Sequence, residues 1–193
     1  DGYILADGRQ AISLEELAME SYYSLSNSSV LTAEVSRQVK KNTVATGCCF
    51  AEVEVDMKLG KIKVLDIVNV HDSGVLLNPQ LAAMQVHGGM SMGMGCGLSE
   101  QLLLDEKTGR PLNGTLLDYK LMTTMDTPDL TAEFVELNDP MGPYGNKALG
   151  EPPAIPGAPA IRNAVLHATG IGFAEIPLTP QRLIDGFTKA GLI

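Results

Sequence analysis

The sequence predicts an α+β fold of mixed sheets and helices, and three observations carry that reading. Ser13-Leu14-Glu15-Glu16 sets a serine three residues ahead of a glutamate before apolar residues at helical spacing, the reciprocal capping pattern of a helix start. From Thr46 the apolar period becomes two, and after Gly60 it resumes over residues 61–70, as two strands of a hairpin would. Later stretches return to helical spacing with start and stop signals, notably Thr179-Pro180 and Gly170. Strands and helices mixed in this way give the α+β class.

The elements follow in order. Leu14, Leu17 and Ala18 share one helical face, which predicts a helix over 14–23. SLSNSS, residues 24–29, is expected to be a polar loop. Val53 and Val55 alternate with Glu52, Glu54 and Asp56, and KIKVLDIVNV completes the hairpin with Gly60 in its turn. Asn78-Pro79 reads as a cap followed by proline at the first helical position, and that helix is expected to end near Met90. LSEQLLLDEKTGRPLNGTLLDYKL reads as a strand, an exposed turn at 105–110 and a second extended piece. Residues 130–137 read as another strand. Residues 158–169 form a helix stopped by Gly170, and a last helix runs from Thr179-Pro180 to near Gly191.

Composition narrows the function. The chain has 193 residues, 45% of them hydrophobic, which is enough for a substantial core. The net charge is −9, and Lys40-Lys41 is the only basic pair, so a nucleic-acid partner is not expected. No apolar run approaches the ~20 residues of a membrane span. DGYILADGRQ is polar and glycine-rich, unlike a signal peptide, and the chain starts on Asp1 rather than Met, as a piece of a longer polypeptide would. Cys48, Cys49 and Cys96 are odd in number and lack zinc-ligand spacing, so reduced thiols in the cytoplasm are expected, with Cys48-Cys49 packed at a strand start. At 19%, charged residues fall below the usual quarter, as a surface largely covered by something else would require.

Candidate chemistry gathers in two places. Residues 88–97 hold five glycines, each costing a helix about 1 kcal/mol against alanine. Either tight helix packing or close approach of a ligand accounts for them. Gln85 stands just before this run. Glu151 lies in KALGEPP, between Gly150 and two prolines, ahead of a helix. The residues alone favour a capping role for Glu151, with a general base as the sharper alternative. His71, His87 and His167 share no metal-ligand spacing, and core or helix-terminal places are expected for His71 and His167. Ser73 and Ser91 lack a nucleophile elbow.

Four blocks taken together resemble the molybdenum-binding subunit of bacterial xanthine dehydrogenases, in the molybdenum hydroxylase family. They are SLEELAMESYYSLSNS, VNVHDSGVLLNPQLAAMQVHGGMSMGMGCGLSEQLL, TGRPLNGTLLDYKL and KALGEPPAIPGAPAIRNAVLHATG. The resemblance covers nearly the whole chain. It implies that residues 1–193 are one C-terminal molybdopterin-binding domain, a fragment or split subunit of a larger enzyme that is inactive alone.

The resemblance also implies an activity and a site. The family oxidises purines, hypoxanthine and xanthine to urate, inserting oxygen from water at a molybdenum centre. Glu151 would be the general base. Gln85, Gly88 and Gly150 would contact the cofactor, molybdopterin or its cytosine dinucleotide form. No side chain here is expected to ligate metal, because the dithiolene of the cofactor does so. Partners would be the rest of the molybdenum subunit and iron–sulfur and FAD subunits or domains. Three cysteines cannot hold even one [2Fe–2S] cluster. The family's substrate-clamping residues belong to the preceding half. An aldehyde or other N-heterocycle hydroxylase of the same family is the alternative, and a non-catalytic assembly module is a third reading.

Overall fold

A computed structural model describes residues 2–24, 32–36, 38 and 41–193. The chain divides into two units, Asp1–Val39 and Lys40–Ile193. In the first, β1 (Tyr3–Ala6) and β2 (Arg9–Ser13) pair antiparallel. Asp7 and Gly8 join them with φ of 51° and 74°, the left-handed turn that matches strand twist. Helix α1 follows over Leu14–Tyr23, within the predicted limits. Its capping box is complete: Glu16 N–H donates to Ser13 Oγ at 3.0 Å, and Ser13 N–H donates to Glu16 Oε2 at 3.0 Å. Residues 25–29 of the expected SLSNSS loop lie outside the described residues.

The second unit is built on a three-stranded sheet in the order β3-β4-β5. β3 (Thr46–Asp56) and β4 (Lys61–Asp72) form the predicted antiparallel hairpin, and Gly60 takes φ 61° in its turn. β5 (Leu130–Phe134) pairs parallel with β4, and so needs the long crossover that residues 73–129 supply. It is shorter than the expected run to Leu137, although Val135 N–H still donates to the His71 carbonyl at 2.8 Å. Helices α2 (Pro79–Leu98), α3 (Gly157–Thr169) and α4 (Pro180–Lys189) complete the unit. One core joins Val64 and Ile67 of β4 to Val86, Met90 and Met94 of α2 and Ile161 of α3. A second joins Val165 and Leu178 to Leu183 and Phe187 of α4. The caps at Asn78 and Thr179, and the left-handed Gly170 after α3, stand where the sequence put them.

Three expectations are corrected. Helix α2 does not stop near Met90 but continues through the glycine run to Leu98. Gly89, Gly93 and Gly97 recur at every fourth position and face Pro153, Gly157 and Ala158. A Cβ on Gly93 would lie 3.0 Å from Gly157 Cα and 2.9 Å from the Ala154 carbonyl oxygen. These glycines let two backbones touch, and that packing offsets the cost of glycine in the helix.

Residues 99–121 form no strand among the described residues, beyond an isolated bridge between Leu104 and Pro111. Side chains satisfy their backbone instead of a ladder. Asn113 accepts from Leu103 N–H at 2.8 Å and donates to the Gln101 carbonyl at 2.6 Å, and Ser99 Oγ donates to the Lys120 carbonyl at 2.9 Å. The turn at 105–110 is present, capped by Asp105, which accepts from Thr108 N–H at 2.7 Å. Of the cysteine pair, Cys49 packs against the first core while Cys48 is exposed, because neighbours on a strand face opposite ways.

Candidate functional site

The segment from Lys147 to Pro153 is held at three points by elements far away in sequence. At its start, Lys147 Nζ lies 2.6 Å from Asp72 Oδ2, with both side chains 11% exposed. The ammonium hydrogen-bonded to Asp72, together with the Gly74 N–H, holds that carboxyl below its ordinary pKa. Lys147 N–H also donates to the Ser73 carbonyl at 2.7 Å, just past the end of β4. In the middle, Gln85 Nε2 on α2 donates to the Gly150 carbonyl at 2.7 Å. At the far end, Asn69 Nδ2 on β4 donates to the Pro153 carbonyl at 3.0 Å. Gly89 lies against Pro153, where a Cβ would come within 2.5 Å of the proline Cβ.

Gln85, Gly88 and Gly89 are spaced i, i+3 and i+4, and so share the face of α2 that meets this loop. The structure therefore brings Gln85, Gly88, Gly150 and Glu151, predicted from two separate blocks, to one region. Gly88 and Gly150 differ from the packing glycines. Both are exposed, and a Cβ on either would meet nothing within 4 Å among the described residues. An exposed carboxamide flanked by two open glycines suits the polar edge of a cofactor, so the residues present fit such a group.

Glu151 is exposed, and its backbone carbonyl closes a turn by accepting from Ala154 N–H at 3.0 Å. The capping role that the residues alone favoured does not hold. Helix α3 begins only at Gly157, and its N-cap, Pro156, makes no side-chain cap hydrogen bond. The bend and turn over residues 151–156 separate Glu151 from the helix start.

Sequence reasoning missed Asn69, Asp72 and Lys147. The signal was the period-two pattern of β4, which puts Asn69 and His71 on the core face with Ile67. Asn69 is 0% exposed and His71 1%. Among the described residues, Asn69 Oδ1 and His71 Nε2 have no hydrogen-bond partner. Burial disfavours the charged ring and lowers the His71 pKa. His71 thus takes the expected core place, and His167 lies in the last turn of α3.

A separate cleft of about 710 Å³ lies between Ile62–Leu65, Leu98–Ser99 and Lys120–Pro128, and none of the four predicted site residues lines it. Among the described residues, no group of three or more His, Cys, Asp or Glu side chains is placed to hold a metal ion. No helix among them is long and apolar enough to cross a membrane.

Residues 1–128 match the family described as the molybdopterin cofactor-binding domain. The chain is 50% identical over 94% of its length to the xanthine dehydrogenase molybdenum-binding subunit of Escherichia coli O157:H7, covering 24% of that protein. It is 34% identical over 78% of its length to the aldehyde oxidoreductase molybdenum-binding subunit PaoC of Escherichia coli K12, covering 20% of it. The fold is similar to the crystal structure of the Cu,Mo-CO dehydrogenase, with a TM-score of 0.80 and 27% identity over 94% of this chain and 23% of that one. The chain spans about a quarter of the length of the curated relatives it matches.

Proposed function

Because the chain belongs to the molybdopterin cofactor-binding domain family, we propose that it forms one side of the cofactor site of a molybdenum hydroxylase acting on purines, with Glu151 as general base. The observation that carries this reading is the 2.7 Å hydrogen bond from Gln85 Nε2 to the Gly150 carbonyl. It joins the glycine-rich helix to the loop of Glu151 at a place with open space beside two glycines. The purine substrate is supported by 50% identity to a xanthine dehydrogenase subunit, against 34% to an aldehyde oxidoreductase subunit.

When bound, the molybdenum cofactor would supply the two-electron redox chemistry, at its metal. This chain supplies the rest of one wall. Gln85 donates one N–H to the Gly150 carbonyl, and its second N–H and its Oε1 would be the groups that hold the cofactor. Gly88 and Gly150 keep the approach clear of side chains. The Glu151 carboxylate accepts the proton given up by the water that donates oxygen to the substrate. The missing N–H groups of Pro152 and Pro153, and their fixed φ, keep the loop stiff around that carboxylate. The remaining three quarters of the subunit would bring the substrate-binding residues. Iron–sulfur and FAD partners would carry the electrons away, and the cofactor could be the cytosine dinucleotide form.

The test is Glu151→Gln in the assembled enzyme, scored on one preparation for molybdenum content, melting temperature and turnover of a purine and aldehyde panel. The expected result is normal metal content with turnover reduced at least about a hundredfold. Near-normal turnover per molybdenum would remove Glu151 from the mechanism. Faster wild-type turnover of aldehydes than of purines would move the substrate class.

A further inference from the structure

The Glu151 carboxylate has no hydrogen-bond partner among the described residues, so its position is set through its backbone. The carbonyls on either side of it, Gly150 and Pro153, are each taken by a side-chain carboxamide. Gln85 is the exposed one, and the cofactor reading already gives it work. Asn69 is the other, fully buried on the central strand of the sheet. Its neighbour on the same face, Ile67, belongs to the apolar core. An asparagine there gains one hydrogen bond and leaves Oδ1 unpartnered among the described residues. For stability this is a poor arrangement, because an unpaired buried acceptor costs more than a typical hydrogen bond returns. A leucine of similar size would leave only the Pro153 carbonyl to satisfy. The bond from Asn69 is the tie that runs from rigid sheet to the end of the Glu151 turn, across 84 residues of sequence.

We propose that Asn69 is a positioning residue that acts through Glu151. Its amide fixes the Pro153 carbonyl, Gln85 fixes the Gly150 carbonyl, and the two carboxamides set where the carboxylate between them stands. The inference rests on the general-base reading of Glu151. Asn69 touches neither substrate nor cofactor, and works by holding the base in reach, where small misplacements are costly to rate.

The experiment uses Asn69→Leu in the assembled enzyme, alone and combined with Glu151→Gln. Pro152 and Pro153 carry no amide hydrogen, so Ala154, whose N–H closes the Glu151 turn, reports the loop by hydrogen exchange in cofactor-free protein. Asn69→Leu is expected to speed that exchange about tenfold or more. Turnover per molybdenum should fall about tenfold or more, chiefly in kcat, and the loss should shrink to less than about twofold once Glu151 is glutamine. A structural role alone would give the same loss in both backgrounds, and that result would overturn the proposal. So would unchanged exchange at Ala154. Turnover retained in Glu151→Gln alone defeats the general-base reading instead, so the two failures appear in different variants. If Asn69→Leu does not fold, Asn69→Ser, too short to reach Pro153, is read by the same measures.

Discussion

Two adjacent glycines on α2 should respond to the same substitution with opposite signs. Gly88→Ala puts a methyl group into open space, while Gly89→Ala puts one 2.5 Å from Pro153 Cβ and 2.8 Å from Pro153 C. Both changes gain the helix preference of alanine over glycine, about 1 kcal/mol. Only Gly89→Ala meets a backbone that cannot rotate away, because proline fixes the loop. Forcing a methyl into so close a contact costs about 1–3 kcal/mol. The net expectation is about 1 kcal/mol of stabilisation for Gly88→Ala and between zero and about 2 kcal/mol of loss for Gly89→Ala. The difference between the two cancels the propensity gain and isolates the contact. Native-state hydrogen exchange of the α2 amides measures both in the cofactor-free protein. Equal stabilisation by the two variants would mean that α2 does not press on Pro153, and the loop geometry argued above would fall with it.

Other outcomes follow from single residues. Gly88→Val should leave α2 folded yet lower molybdenum content, since the branched side chain fills the space kept open for the cofactor; unchanged metal content would refute that use of the space. Burial pushes the Cys49 thiol up to about 11, with the neighbouring Cys48 adding to it. Between about pH 9 and 11 the unfolded chain would therefore lose this proton while the fold keeps it, so stability should fall with rising pH, less so in Cys49→Ala. Buried His71 has a lowered pKa, so the unfolded chain gains its proton first as pH falls below about 6.5. Denaturation midpoints should fall through that range, and His71→Gln should flatten the dependence. Asn113→Ala should cost about 1–3 kcal/mol, because it strips partners from Leu103 N–H and the Gln101 carbonyl; an unchanged melting temperature would contradict that anchoring role.

Local signals were legible in the sequence where local chemistry decided the outcome. The capping box at Ser13, the Gly60 hairpin, Asn78-Pro79, Thr179-Pro180 and Gly170 each satisfy their own backbone within a few residues. The Asp7-Gly8 turn is an equally local signal, although the residues around it read as merely polar. What the sequence hid was decided at a distance. Helix α2 outruns its propensity because α3, far along the chain, supplies the packing surface for its glycines. Residues 99–121 have strand-like composition, but Asn113 and Ser99 supply the bonds a ladder would have given. The site follows the same division. Gln85 and Glu151 stand out by their neighbours in sequence, while Asn69, Asp72 and Lys147 acquire meaning only when β4 and the loop meet.

The glycine ridge of α2 also has a consequence for synthesis. A helix with five glycines between positions 88 and 97 holds its shape poorly alone, and its apolar flanks need cover. The surface that covers it, at Gly157 and Ala158, leaves the ribosome about 60 residues later. At ordinary elongation rates that is a wait of roughly 3–12 s, long against the microseconds of helix formation. During that interval the nascent chain presents an unsettled, methionine-rich segment to its surroundings. Early chaperone contact should therefore map to residues 79–98, and release should coincide with the emergence of α3.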